Sequence, residues 1–128
     1  MNEKLSISDA ELEVMKIIWK NPNVTANSII DELESKTDWK PNTVKTLINR
    51  LLKKKVISFN KKGKEYYYYA LLEEKTYMNA ESESFLKKLF NGSINSMVLD
   101  FVKSKKLSKK EIEELKDILN KADKEEGK

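Results

Sequence analysis

Seven side chains in one short segment, PNTVKTLINRLLKKK (41–55), could do chemistry on a single surface. They are Asn42, Thr43, Lys45, Thr46, Asn49, Arg50 and Lys53. Together they offer amides, hydroxyls, threonine methyls and positive charge, with no carboxylate among them. That set is poor in nucleophiles and general bases. It is rich in groups that meet base edges and phosphates: threonine methyls suit thymine methyls and amides suit adenine, while Lys45 and Arg50 suit the major groove or a phosphate. Surface helices ordinarily mix signs, because opposite charges at i,i+4 help and like charges repel. A face of one sign calls for a partner that supplies the other.

The rest of the chain narrows the chemistry further. The 128 residues contain no cysteine and no histidine, which excludes disulfides, thiolate chemistry, zinc-finger sites and histidine general bases. Carboxylates alone could bind a metal, and Glu111, Glu113, Glu114 and Asp117 read as a solvated helix face. No metal, cofactor or catalytic residue is expected. The net charge of +4 is carried entirely by residues 1–72, with 13 basic and 9 acidic groups, whereas residues 73–128 hold 12 of each. Between residues 39 and 64 there are nine basic groups and no acid. So local a positive field is the footprint of a nucleic-acid partner. No apolar run approaches the roughly 18 residues of a membrane span, and MNEKLSISDAELEVM lacks the apolar core of a signal peptide. A cytoplasmic protein without membrane insertion is expected.

The elements that must hold the basic face can be read in order. Ser8-Asp9-Ala10-Glu11 is a capping box, and Leu12, Met15, Ile18 and Trp19 follow at helical spacing, which predicts a helix over about 9–20. Asn21-Pro22-Asn23 ends it. Val24 is extended and Thr25 caps a second helix, about 26–36, whose buried stripe is Ile29, Ile30 and Leu33. Pro41 suits the first position of a third helix. On that helix Val44, Leu47, Ile48, Leu51 and Leu52 share one side, and Asn42, Thr46, Asn49, Arg50 and Lys53 the other, with Thr43 and Lys45 on its flanks.

Val56-Ile57-Ser58-Phe59 and Glu65-Tyr66-Tyr67-Tyr68-Tyr69-Ala70-Leu71 are β-prone, and Asn60-Lys61-Lys62-Gly63-Lys64 reads as the turn between them. Lys61, Lys62 and Lys64 at its tip, with Lys54, suit phosphates. Alternation along the second strand sends Tyr66 and Tyr68 one way and Tyr67 and Tyr69 the other, so one pair should cover the core. Three helices followed by a basic hairpin outline a winged helix-turn-helix, in which the third helix enters the major groove. The predicted fold class is mainly α with a small β-hairpin: a winged-helix DNA-binding domain over 1–72 and a helical dimerisation domain over 73–128.

That second domain is read as three amphipathic helices and a frayed tail from Asp123. The first runs from about Glu73 to Phe90 with Tyr77, Phe85, Leu86, Leu89 and Phe90, and Asn91-Gly92 breaks it. Ile94, Met97, Val98, Phe101 and Val102 follow strict helical spacing. Ser108-Lys109-Lys110-Glu111 is a second capping box, opening a helix with Ile112, Leu115, Ile118, Leu119 and Ala122. Fifty-six residues are few for an independent core. A second copy is the simplest cover, and the expected interface comprises Phe85, Leu89, Ile94, Met97, Val98, Phe101, Leu115 and Leu119.

Taken together, SDAELEVMKIIW, KPNTVKTLINRL, KKKVI, YYYYALLEE, NSMVLDFV and LSKKEIEELKDIL resemble, in order, the BlaI/MecI family of bacterial repressors. The resemblance covers nearly the whole chain. It implies a homodimer on palindromic operator DNA with TACA/TGTA-type half-sites, control of penicillinase or methicillin-resistance genes, and inactivation by proteolysis downstream of a membrane-bound β-lactam sensor. By resemblance Pro41–Lys54 is the recognition helix and the cleaved bond is Asp100–Phe101. Two departures stand out. Asp100 occupies the place of an asparagine in the family's cleaved segment, and the cysteine motif of the copper-responsive branch is absent. Two other readings remain open: a family regulator of genes unrelated to β-lactams, and a winged-helix module that contacts protein or RNA.

Overall fold

The computed structural model describes residues 6–126 and contains, among them, six helices and a small antiparallel sheet. The order is α1 (Asp9–Lys20), β1 (Val24–Thr25), α2 (Ala26–Glu34), α3 (Pro41–Lys53), β2 (Ile57–Lys62), β3 (Glu65–Ala70), α4 (Glu74–Phe90), α5 (Ile94–Lys103) and α6 (Lys109–Glu126). No helix among the described residues is long and apolar enough to cross a membrane. The chain divides into two compact units between Glu81 and Ser82, inside α4.

The first unit is the winged helix. The Ser8 hydroxyl accepts from the Glu11 amide, and the Glu11 carboxylate accepts from the Ser8 amide, which closes the capping box of α1. Thr25 caps α2 by accepting from the Ser28 amide. That helix stops at Glu34, short of the expected Lys36. There the Ser35 hydroxyl donates to the Glu32 carbonyl, and the Leu33 carbonyl accepts from the Lys36 and Thr37 amides and from the Thr37 hydroxyl, which closes the helix end. α3 begins on Pro41 as expected. It ends in a Schellman turn: the Lys55 amide donates to the Leu52 carbonyl and the Val56 amide to the Leu51 carbonyl, with Lys55 left-handed at φ +62°.

The sheet order is β1-β3-β2. β2 and β3 pair from Ile57↔Ala70 out to Lys62↔Glu65, so the hairpin turn is two residues, Gly63-Lys64, and not the five expected. Gly63 at φ +61° permits it, since a glycine opens a type II′ turn without strain. Lys61 and Lys62 are therefore strand residues. The core gathers Val14, Met15 and Ile18 of α1, Ile29 and Leu33 of α2, the apolar side of α3, and Val56, Ile57 and Tyr68. Of the tyrosines on β3, Tyr68 alone is buried, and Tyr66 is 39% exposed.

Tyr77 also belongs to this unit, although the sequence grouped it with the C-terminal helices. It is buried, and its ring lies 5.8 Å from that of Trp19. Trp19 Nε1–H donates to the Leu72 carbonyl at 2.8 Å. The first turns of α4 thus complete the winged helix.

In the second unit Asn91 and Gly92, both at positive φ, separate α4 from α5, and Ser93 caps α5 by accepting from the Ser96 amide. The Ser108 and Glu111 capping box forms as expected. α6 continues through Asp123 to Glu126, so the tail is helical as far as it is described; Ala122, Lys124 and Glu125 are good helix formers. Residues 127 and 128 lie outside the described residues. Phe90 bridges Phe85 and Phe101, at 6.0 and 6.5 Å between ring centres. No described residue from Ser82 onward is buried.

Candidate nucleic-acid interface

The helical period of α3 decides what the site can present. Val44, Leu47, Ile48 and Leu51 point inward and are buried, fixing the helix on α1 and α2. Asn42, Thr43, Lys45, Thr46, Asn49, Arg50 and Lys53 are all exposed. Among the described residues no acid pairs with Lys45, Arg50 or Lys53. The Thr46 hydroxyl donates to the Asn42 carbonyl at 2.9 Å. That bond fixes its rotamer, so the residue presents its methyl and oxygen lone pairs and not a free hydroxyl proton.

The wing stands beside this face. A cleft of about 460 Å³ is lined by Lys45 from α3, Lys61 and Lys64 from the hairpin, Tyr66, and Ala26 and Asn27 from the start of α2. A smaller hollow of about 210 Å³ is lined by Lys45, Asn49 and Tyr68. Three lysines from two elements thus line one space whose single acid is Glu65, the cross-strand partner of Lys62. Strand alternation turns Lys62 to the opposite face from Lys61, with its ammonium 5.8 Å from the centre of the Tyr67 ring. Asn27 carries neither charge nor periodic signal, and nothing in the sequence distinguished it.

Lys54 is the correction. Its ammonium is bonded to the Glu11 carboxylate and to the Ser6 carbonyl, the latter at 2.9 Å. It lies at the C-cap of α3 and is committed to an internal ion pair, so it leaves the set of free phosphate ligands. Glu11 is buried, and burial pushes its carboxyl up. The hydrogen bonds from Lys54 and from the Ser8 amide, with the Lys54 charge, outweigh this and hold it below its ordinary value. Burial also raises the Tyr68 and Tyr77 phenols, helped by Tyr66 in the first case and by Glu81 and Asp9 in the second.

Asp100 and Phe101 belong to the second unit, within α5. Asp100 is exposed and Phe101 half-buried, with the Lys106 ammonium 5.3 Å from the centre of its ring. Phe85, Leu89, Ile94, Val98 and Leu119 are exposed, and Met97, Phe101 and Leu115 are partly covered.

Comparison with known proteins accords with this arrangement. The family model described as penicillinase repressor matches residues 7–121. The methicillin resistance regulatory protein MecI of Mammaliicoccus sciuri is 47% identical over 120 residues, covering 94% of this chain and 98% of that one. The penicillinase repressor of Bacillus licheniformis is 44% identical over 113 residues, 88% of each chain. A solution structure of Bacillus licheniformis BlaI in monomeric form, in complex with the blaP half-operator, superimposes with a TM-score of 0.50 at 41% identity, over 56% of this chain and 87% of that one.

Proposed function

This chain belongs to the penicillinase repressor family, and from that membership we propose that it is a homodimeric repressor of β-lactamase or β-lactam-response genes. It binds a palindromic operator with TACA/TGTA-type half-sites. One observation carries the reading: Lys45, from the acid-free exposed face of α3, lines one cleft with Lys61 and Lys64 of the wing.

In this reading α3 lies in the major groove. Thr43 and Thr46 set their methyls against thymine, and Asn42 and Asn49 read adenine edges or hold phosphates. Lys45 and Arg50 contact the groove or its rim, and Lys53, Lys61, Lys62 and Lys64 neutralise phosphates. The exposed apolar residues Phe85, Leu89, Ile94, Val98 and Leu119, with Met97, Phe101 and Leu115, pack against a second copy, so two α3 helices reach two half-sites. Cutting Asp100–Phe101, downstream of a membrane-bound sensor protease, splits α5 and separates the copies. The avidity of a linked pair is then lost and the operator is released. Because the bond lies inside a helix, cleavage requires local opening.

Fluorescence anisotropy with a TACA/TGTA duplex and a scrambled duplex, at two salt concentrations, tests the reading. Preference for the operator by at least ~10³-fold, with steep salt dependence, is expected. Thr46→Ala and Arg50→Ala should each lose about 1–3 kcal/mol of that preference. Equal binding to both duplexes sinks the assignment.

A further inference from the structure

The tip of the wing has little sheet to lean on. β1 reaches β3 only at Val24↔Tyr68 and Thr25↔Tyr67, so the outer rungs Lys61↔Tyr66 and Lys62↔Glu65 are two strands alone. Such ribbons are marginal in water. A column of rings runs out along one face to meet this need. Tyr68 is buried in the core. Phe59, directly across from it, meets it edge-on at 6.0 Å. Tyr66, diagonal to Phe59, stacks on it with ring centres 4.4 Å apart and planes 3° from parallel. Lys61, across from Tyr66, holds its ammonium 5.7 Å from the centre of the Tyr66 ring.

Support of the ribbon accounts for the stack but not for its exposure. Phe59 and Tyr66 remain 37% and 39% exposed, and Tyr66 lines the cleft that also receives Lys45, Lys61 and Lys64. The cleft therefore mixes apolar ring surface with ammonium groups. A free phosphate has no use for the ring. A base needs an open ring face, and Tyr66 already has Phe59 against one face and the Lys61 ammonium over the ring. The chemistry that fits is a sugar–phosphate backbone, in which apolar deoxyribose alternates with anionic phosphate.

We infer that Tyr66, backed by Phe59, is a DNA contact in its own right, packing against a deoxyribose of the strand whose phosphates Lys45, Lys61 and Lys64 neutralise. The inference rests on the repressor reading and adds a specific kind of contact to it. It is sequence-independent and, unlike the lysines, it is uncharged.

Hydroxyl-radical footprinting reads deoxyribose exposure directly, and anisotropy over a salt series reads the charge contribution. Both are run on the full-length protein as wild type, Tyr66→Phe, Tyr66→Leu and Phe59→Leu. Tyr66→Phe keeps the ring and should protect and bind like the wild type. Tyr66→Leu should weaken binding to operator and scrambled duplex alike by roughly five- to tenfold, from the lost ring contact, with the salt slope unchanged. It should lose protection of the sugars under the wing while keeping protection over α3. Phe59→Leu leaves the ring unsupported and should lose part of the same protection, which keeps the test decisive if Tyr66→Leu does not fold. Intact protection in both leucine variants overturns the inference alone. So does a loss accompanied by a salt slope lower by about one, since Tyr66 would then serve only to hold Lys61. A wild-type protein that protects no sugars on its promoter DNA overturns the repressor reading and the inference together.

Discussion

The Trp19 indole N–H donates to the Leu72 carbonyl at 2.8 Å, and the same indole packs on Tyr77. One side chain of α1 therefore holds both the end of the wing and the start of α4.

It follows that the DNA-binding unit cannot be cut at residue 72 without harm. Tyr77→Ala should destabilise it by about 3 kcal/mol, as expected for removing a buried aromatic ring. Urea unfolding followed by Trp19 fluorescence, in a Trp39→Phe background, measures this. An unchanged midpoint would show that the ring contributes nothing to the unit.

Lys54 and Lys61 should separate cleanly. Lys54→Met strands the buried Glu11 carboxylate and should cost about 2–3 kcal/mol of stability, moderated by water because Lys54 is partly exposed. It should leave the salt slope of DNA binding unchanged. Lys61→Met should do the opposite, lowering the slope by about one at little cost in stability. A Lys54→Met slope lower by one would restore Lys54 to the phosphate contacts.

Acid should weaken the fold through the same pair. The Glu11 carboxyl is held below its ordinary value in the folded chain. Its contribution is therefore complete above the ordinary carboxylate range and is lost as pH falls through the lowered value. Glu11→Gln should flatten the acid limb of a plot of urea midpoint against pH. An acid limb of the same steepness would place the loss in other carboxylates.

Lys55 sits at φ +62°, where glycine is at ease and a side chain is not. Lys55→Gly should raise stability by about 1 kcal/mol by relieving the left-handed strain at the end of α3. Thermal unfolding of the variant checks the sign, and a fall in Tm would mean that the lysine stem packs usefully there.

Local signals carried most of the fold. The capping boxes at Ser8 and Ser108, Thr25 as a cap, Pro41 as a first helical residue and the two-sided pattern of α3 all depend on residues within a few positions of each other, and each formed as read. Relationships across the chain were not legible. Glu11 and Lys54 are 43 positions apart, so the capping residue gave no sign that it also binds a lysine. Tyr77 lies on a helix whose spacing shows a stripe but not which neighbour the stripe meets. Period-two alternation paired Tyr66 with Tyr68, yet Tyr68 alone is buried, because β1 reaches β3 only at Tyr67 and Tyr68. The exposed positions of α3 were legible because exposure follows from that helix's own buried face. That Lys45 shares a cleft with Lys61 and Lys64 was not, since it depends on how tightly the hairpin turns at Gly63.

Among the described residues the helices beyond Ser82 contain no buried side chain, and Leu119 is 65% exposed. Apolar surface of that kind is ordered by whatever covers it. With a second copy as the cover, the order of this half is governed by mass action, and its stability is inseparable from concentration. The winged helix, with its own core, needs no such partner. In the proposed dimer the second half would therefore respond to copy number as well as to temperature and solvent. For that dimer, halving the abundance would remove more than half of the assembled operator-binding form.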